Sequence, residues 1–377
     1  MTAAVEFRID AREGLARAGG VRIRGRTFGT PAFMPVGTLA SVKALAPDDL
    51  LEARVEIILA NTYHLRIRPG HRVVREFGGL HRFAAWDGAI LTDSGGYQIF
   101  SHAGRVEIDE QGATFRSHLD GALIRLTPEE AIEIQAALDP DIAMVLDQPI
   151  ALPARRDQIE VAAARTLRWA RRSREHHRAQ VQSGQALFGI LQGALDLELR
   201  AKQAEALREL SFDGYALGGL AVGESKREFQ ATLEAVLPLL PEDRPRYVMG
   251  VGYPEDLLLA IGCGADMFDC VLPTRHARTG QAFTSRGVVR LRLSANRLAR
   301  GPLDPNCACT TCRGFELGYL THLFTCHEML GPILVARHNV YFYQQLVRDA
   351  AFAIRRGRFA AHREATLRAL EGGDSGT

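Results

Sequence analysis

Eight short apolar runs, separated for the most part by longer amphipathic segments, predict an α/β protein: a closed (β/α)8 TIM barrel with β-hairpin insertions and a small C-terminal subdomain. The runs are Ala32–Val36, Glu56–Ala60, Ala89–Thr92, Ile142–Leu146, Ala186–Leu191, Gly214–Leu217, Arg246–Val251 and Ala265–Cys270. Eight strand–helix units match the barrel in number, and a doubly wound open sheet is the rival topology. A third observation, a knot of cysteines after residue 306, sets the C-terminal subdomain apart.

The helical segments follow from spacing. In Arg156–Ala179, Ile159, Ala163, Leu167 and Ala170 recur at helical intervals with arginines between them. Leu195–Leu210, Lys226–Leu240 and Pro254–Ile261 are read the same way. Thr127 followed by Pro128 and two glutamates is a helix start, with threonine as N-cap and proline in the first turn. Two stretches break the alternation. Residues 104–127 hold Asp-Glu-Gln-Gly and Leu-Asp-Gly turns, which predict a hairpin insertion after the third strand. The first 30 residues read as antiparallel strands closing the barrel floor. The expected division is 1–300 for the barrel and 301–377 for the subdomain, with the last dozen residues frayed.

With 377 residues, 46% hydrophobic, the chain can bury a large core. Its net charge of +2 points to no partner by itself. The local balance does: between Val271 and Arg300 stand seven arginines and no acid. Such a run suggests a surface for a polyanion, or else a solvated face paired with acids elsewhere. The N-terminus has charges where a signal peptide needs an apolar core, and no apolar stretch approaches the length of a membrane span. A cytoplasmic protein is expected.

In a barrel the reactive groups sit at the C-terminal ends of the strands. Reading those ends brings Asp93, Asp147 and Asp269 to one mouth. Each follows an apolar run and is expected to be desolvated with a perturbed pKa. A retaining glycosyl exchange needs two carboxylates of different character, one to attack the sugar carbon and one to handle the leaving group's proton. A single strand-end aspartate more often caps a helix; three on one mouth are harder to dismiss. Asp93-Ser-Gly-Gly and Gly218-Gly-Leu-Ala-Val-Gly223 are not P-loops, and their glycines would let a phosphate or a flat ring approach the backbone. Tyr97 and Met249 could sandwich such a ring, or could be ordinary core.

Cys307-Ala-Cys309-Thr-Thr-Cys312 packs three of the six cysteines into six residues. In a chain without an export signal this reads as a metal site, and zinc fits four N or S ligands. His322, Cys326, His327 and His338 are all available as the fourth; His338 follows an apolar run in a candidate returning helix. A closed four-ligand site would be structural.

Together these motifs resemble the bacterial tRNA-guanine transglycosylases, or queuine tRNA-ribosyltransferases. The resemblance is carried, in order, by Asp93-Ser-Gly-Gly-Tyr-Gln98, Gly218-Gly-Leu-Ala-Val-Gly-Glu224, Phe268-Asp-Cys-Val-Leu-Pro-Thr-Arg275, and Cys307, Cys309, Cys312 with His338. It implies a barrel with a zinc subdomain and exchange of guanine at the wobble position of tRNAs with a GUN anticodon. The incoming base in bacteria is 7-aminomethyl-7-deazaguanine. The resemblance makes Asp269 the nucleophile and Asp93 the general acid/base. It places Ser94, Tyr97, Asp147, Gln192, Gly219, Leu220 and Met249 around the base. It gives Arg275 and Arg278 to the tRNA and Cys307, Cys309, Cys312 and His338 to one structural Zn2+, in a homodimer.

The chain departs from the family on the pocket wall. Gln148-Pro149-Ile150 stands for the usual Glu-Cys-Thr, and Ala194 for a glycine. Val222 matches the bacterial form and favours the aminomethyl base, with queuine as the alternative. A non-catalytic tRNA-binding subunit of the same fold would lack the reactive carboxylates. A zinc-stapled barrel acting on small phosphorylated substrates would work without RNA.

Overall fold

Parallel β-strands closed on themselves form the centre of the molecule. The computed structural model describes residues 4–102, 106–181 and 184–372. The barrel strands are Ala32–Gly37, Ile57–Ala60, Ala89–Thr92, Ile142–Met144, Ala186–Leu191, Gly214–Leu217, Arg246–Val248 and Met267–Cys270, and the eighth pairs in parallel with the first. All eight expected strands are present, and the open sheet is excluded by the closure. Their side chains are buried on both faces, which is why each reads as an apolar run rather than an alternating one.

Helices return the chain outside the barrel. Pro128–Leu138 starts on Thr127, whose hydroxyl accepts from Glu130 N at 3.1 Å in a reciprocal capping box. Arg156–Gln180 and Leu197–Leu210 follow the fourth and fifth strands. The expected helix over 226–240 ends at Val236 and continues as a 3-10 turn, Leu237–Leu239, because Pro238 cannot donate into an α-helix. After the eighth strand, Leu272–Thr279 is short, and the long helix Leu330–Arg355 completes the outer ring. Gln344 of that helix donates to Phe33 O at 2.8 Å, and Tyr343 donates to Gly252 O. Its buried apolar residues from Tyr343 to Ile354 share one cluster with the barrel strands, and Leu334, Val335, Ala336 and Val340 pack in a second.

The N-terminal strands Val5–Glu13, Ala16–Ile23 and Arg26–Thr30 form an antiparallel sheet across the N-terminal ends of the barrel strands. Gly29 N donates to Glu56, Arg26 to Asp87 O and Asp141, and Arg17 to Asp266. Each acceptor lies just before a barrel strand. The insertion after strand three is a second antiparallel sheet, Val106–Ile108, Ala113–Arg116 and Leu123–Leu126, docked on Arg156–Gln180 through Glu110, whose backbone oxygen accepts from Trp169 at 2.9 Å. Positions 104 and 105 of the expected insertion lie outside the described residues. Two details differ from expectation. A hairpin, Gln281–Thr284 with Gly287–Arg290, lies inside the arginine-rich segment. The C-terminal dozen is not frayed throughout, since Phe359–Glu371 is a helix; residues 373–377 lie outside the described ones. That helix is held at its start by Glu13, whose carboxylate accepts from Phe359 N and Ala360 N.

The floor depends on one buried ion pair. Asp266 is fully buried and accepts from Arg17 Nε at 2.8 Å and Arg246 N at 2.7 Å, while the Arg17 fork also reaches Glu242 O and Arg244 O. Arg17→Leu strands the Asp266 charge, and removing one partner of such a pair costs about 3–5 kcal/mol. A urea midpoint unchanged from wild type would contradict this account of the floor.

Candidate active site and candidate metal centre

The mouth is assembled from strand ends. Asp93 follows the third strand, and burial removes its hydration. Thr62 N and Gly95 N donate to Oδ1 at 2.8 and 3.2 Å, and Gln98 donates to Oδ2 at 2.8 Å, with Asn61 on the same oxygen. Burial pushes Asp93 up to about 6, the donors Asn61, Thr62 and Gln98 work against that rise, and the charge of Asp269 adds to it. Asp269 ends the eighth strand and is raised by burial as well. Tyr247 Oη at 2.5 Å and Gly250 N at 2.8 Å both donate to Oδ1. No hydrogen bond among the described residues engages Oδ2. The two carboxylates therefore differ: Asp93 has both oxygens hydrogen-bonded, and Asp269 has one oxygen without a hydrogen bond among the described residues.

Asp147 lies just past the fourth strand. Gln192 Nε2, from the fifth strand's end, donates to Oδ2 at 2.7 Å, and Ser94 Oγ donates to Oδ1 at 3.3 Å. Burial pushes Asp147 up to about 6. Gln192 lies against Gly218 and Gly219, where an added Cβ would meet its amide at 2.5 and 2.6 Å. This close approach is what the glycines permit. Leu220 is buried, and the following peptide N–H of Ala221 donates to Glu224 at 2.5 Å, with Val222 N on the other oxygen at 3.0 Å. In a trans peptide this turns the Leu220 carbonyl away from Glu224. Met249 is half-buried beside Gly250, and Tyr97, 60% exposed, stands on the rim in Gly96–His102.

Reading the sequence missed several of these partners. Asn61 and Thr62 directly follow the second strand, so the strand-end rule applies to them too. Tyr247 lies inside the seventh strand, and nothing in its local sequence marks it. On the departing wall, Gln148 accepts from Arg165 at 2.7 Å, and Ala194 takes a left-handed φ of 49°.

The four expected metal ligands meet. One ligand atom from each of Cys307, Cys309, Cys312 and His338 lies within 4.8 Å of the others, so the group could hold a metal ion. His338 is fully buried on Leu330–Arg355, with Nδ1 at 3.6 and 3.3 Å from Cys309 and Cys312 Sγ. Its Nε2 lies 2.7 Å from Phe283 O, which holds the proton there and leaves Nδ1 as the donor atom towards the sulfurs. His322 and Cys326 pair with each other instead, exposed on the neighbouring helix.

The arginine-rich segment adjoins this cluster. Arg275 and Arg278 are exposed one turn apart on Leu272–Thr279, and the other five arginines are exposed too. Among the described residues only Arg300 of the seven has a carboxylate partner, Glu316 at 2.9 Å. Asn339, next to His338, donates to Pro273 O and Gln281 O and accepts from Phe283 N. The helix carrying His338 thus bonds to the start of the helix that carries Arg275 and Arg278 and to the strand that follows it.

Fold and mouth together define a (β/α)8-barrel enzyme with hydrogen-bonded carboxylates at the strand ends and a Cys3His cluster outside the reactive mouth. The profile of the queuine tRNA-ribosyltransferase family matches residues 11–372, and the chain belongs to that family of pentosyltransferases. Proteins named queuine tRNA-ribosyltransferase are similar to it over nearly their whole length. One from Stenotrophomonas maltophilia is 49% identical over 361 residues, 96% of each chain. One from Solidesulfovibrio magneticus is 49% identical over 363 residues, 96% of this chain and 97% of its own. One from Novosphingobium aromaticivorans is 49% identical over 357 residues, 94% of this chain and 96% of its own.

The raised carboxyls have a consequence for stability. Asp147 sits near 6 when folded against an ordinary 3.8, so the native state holds the extra proton between those values. Stability therefore falls as pH rises from about 4 to about 6 and stays lower above, by an amount on the order of 1–3 kcal/mol. Asp147→Asn should raise the urea midpoint at pH 7.5 and lose that advantage near pH 4. A constant difference between the two proteins across this range would refute the assignment.

Proposed function

We propose that this chain exchanges guanine at the wobble position of tRNAs with a GUN anticodon for 7-aminomethyl-7-deazaguanine, by double displacement. The observation that carries the reading is the unequal pair, Asp93 and Asp269. Asp269 Oδ2 attacks C1′ of the ribose, the C1′–N9 bond breaks, and guanine leaves with the bond's electrons. Asp93, near 6, supplies a proton to the leaving base and takes one from N9 of the incoming base. That N9 then attacks C1′ and expels Asp269, and two inversions restore the configuration. The nucleoside must leave the anticodon stack for C1′ and its base to reach these groups.

The base slot suits guanine's edge. Asp147 offers two acceptor oxygens for N1–H and the exocyclic amine, and Gln192 and the Gly219 N–H supply donors for O6. Ser94 and Gln192 donate to Asp147 and orient it. Leu220's carbonyl, turned from Glu224, is an acceptor suited to an aminomethyl group. Tyr97 and Met249 flank the ring. Arg275 and Arg278, exposed and without carboxylate partners, take tRNA phosphates. Queuine as the incoming base is the second reading, favoured by Pro149, which removes a thiol and a backbone N–H donor from the wall.

Cys307, Cys309, Cys312 and His338 would hold one Zn2+ in a closed tetrahedron, as a structural ion. Bound there, it would fix the helix that grips the arginine-bearing segment; it takes no part in the exchange. The homodimer and the cytoplasmic location expected from the sequence belong to the same reading.

Incubation with substrate tRNA and 9-deazaguanine should trap a denaturant-resistant covalent complex in the wild type. Asp269→Asn should form none while binding tRNA within a fewfold of wild type. A wild type that forms no complex and exchanges no labelled guanine would overturn the proposal. For the metal, elemental analysis should find one zinc per chain. Cys309→Ser should lower both the melting temperature and tRNA affinity; a zinc-free protein with full affinity would remove the clasp role.

A further inference from the structure

The wall between the fifth and sixth strands is tied by a side chain that the exchange chemistry leaves unused. Arg200, in the first turns of Leu197–Leu210, is fully buried. Its guanidinium donates to three backbone carbonyls: Nε to Ala194 O at 2.6 Å, Nη2 to Gly218 O at 2.9 Å and Nη1 to Leu191 O at 3.4 Å. Two of these carbonyls belong to the end of the fifth strand and one to the end of the sixth. Among the described residues Arg200 makes no ion pair, and Glu224 acts on it only from a distance. A buried cation satisfied by carbonyls alone is costly to keep, and a plain packing role would be met by an apolar residue.

The backbone around it is held under constraint. Gly193 has a φ of 143°, and a Cβ there would meet Arg200 Cγ at 2.9 Å. Ala194 is left-handed, which costs a non-glycine residue about 1–2 kcal/mol. Its carbonyl makes the shortest of the three bonds. On the far side, Gln192 is wedged against Gly218 and Gly219 while it donates to Asp147. The planar guanidinium presents donors in a fixed fork, so it sets the separation of the two strand ends in one rigid unit.

We infer that Arg200 is a positioning residue that sets the width of the base slot between Gln192 and the Gly219–Leu220 backbone, and so selects flat bases with an amide edge. This rests on the reading of that slot given above. A lysine at 200 keeps the charge but has no planar fork to span three carbonyls. A methionine keeps the stem and leaves the Ala194 and Gly218 carbonyls without the donors Arg200 supplies.

The test uses the full chain as wild type, Arg200→Lys and Arg200→Met. It reads guanine binding by calorimetric titration, KM for tRNA and for the incoming base, and thermal unfolding. Arg200→Lys should weaken guanine binding and raise the base KM about tenfold, equivalent to about 1.4 kcal/mol. The tRNA KM should stay within twofold. Arg200→Met should weaken the base further; if it does not fold, Arg200→Lys decides. A folded lysine variant that binds guanine as wild type does overturns the inference. So does a parallel loss of base and tRNA affinity that tracks the melting temperature, which would mark Arg200 as merely structural. Wild-type protein that binds no guanine overturns the slot itself, before Arg200 is reached.

Discussion

A carboxylate placed at the apolar mouth of a closed barrel loses its water, and everything at this mouth answers that loss. Asp93, Asp147 and Asp269 are all raised by burial, and each is met by donors from neighbouring strands or the segments that follow them. The donors make the carboxylates tolerable and also make them different. Four donors on Asp93 occupy both oxygens, two donors on Asp269 occupy one, and Asp147 is held by the side chains of Gln192 and Ser94. The difference in environment between chemically identical groups is thus set by where donors stand.

The same cost recurs with opposite sign beneath the slot. Arg200 is fully buried too, and its compensation comes from carbonyls at two strand ends, of which Leu191 O also accepts from Gly218 N at 3.0 Å. At the floor, Arg17 and Asp266 pair directly and lock the N-terminal sheet to the barrel. Buried charge recurs at three places in the molecule: the carboxylates at the mouth, Arg200 between the ends of the fifth and sixth strands, and the Arg17–Asp266 pair at the floor. The cysteine cluster stands apart from all three. Its surroundings are the helix Leu330–Arg355 and the segment gripped by Asn339, so its influence runs to the arginine-bearing surface.

How much of the site was legible depended on how local its cause is. Asp93, Asp147 and Asp269 could be found because each ends an apolar run, and the cysteines because thiolates so closely spaced call for a metal. Asn61 and Thr62 obey the same strand-end rule and were readable. Tyr247 was not: it looks like any core tyrosine of a strand, and its hydroxyl meets Asp269 only because neighbouring strands bring residues 22 apart into contact. Arg200 looks like one of many arginines on amphipathic helices. Its burial comes from two loops closing over it, and no helical periodicity announces that.

The sequence by itself determined the eight strands, their alternation with helices, the cysteine cluster and the identity of the mouth carboxylates. Those features arise from local periodicity, apolar run length and ligand chemistry, which act over a few residues. Tertiary structure alone decided closure of the barrel, the choice of His338 over His322, and the donors around each carboxylate. It also decided that the long C-terminal helix packs onto the barrel. These depend on which distant segments meet, and burial converts each meeting into a changed charge or a fixed rotamer that the separate segments do not possess.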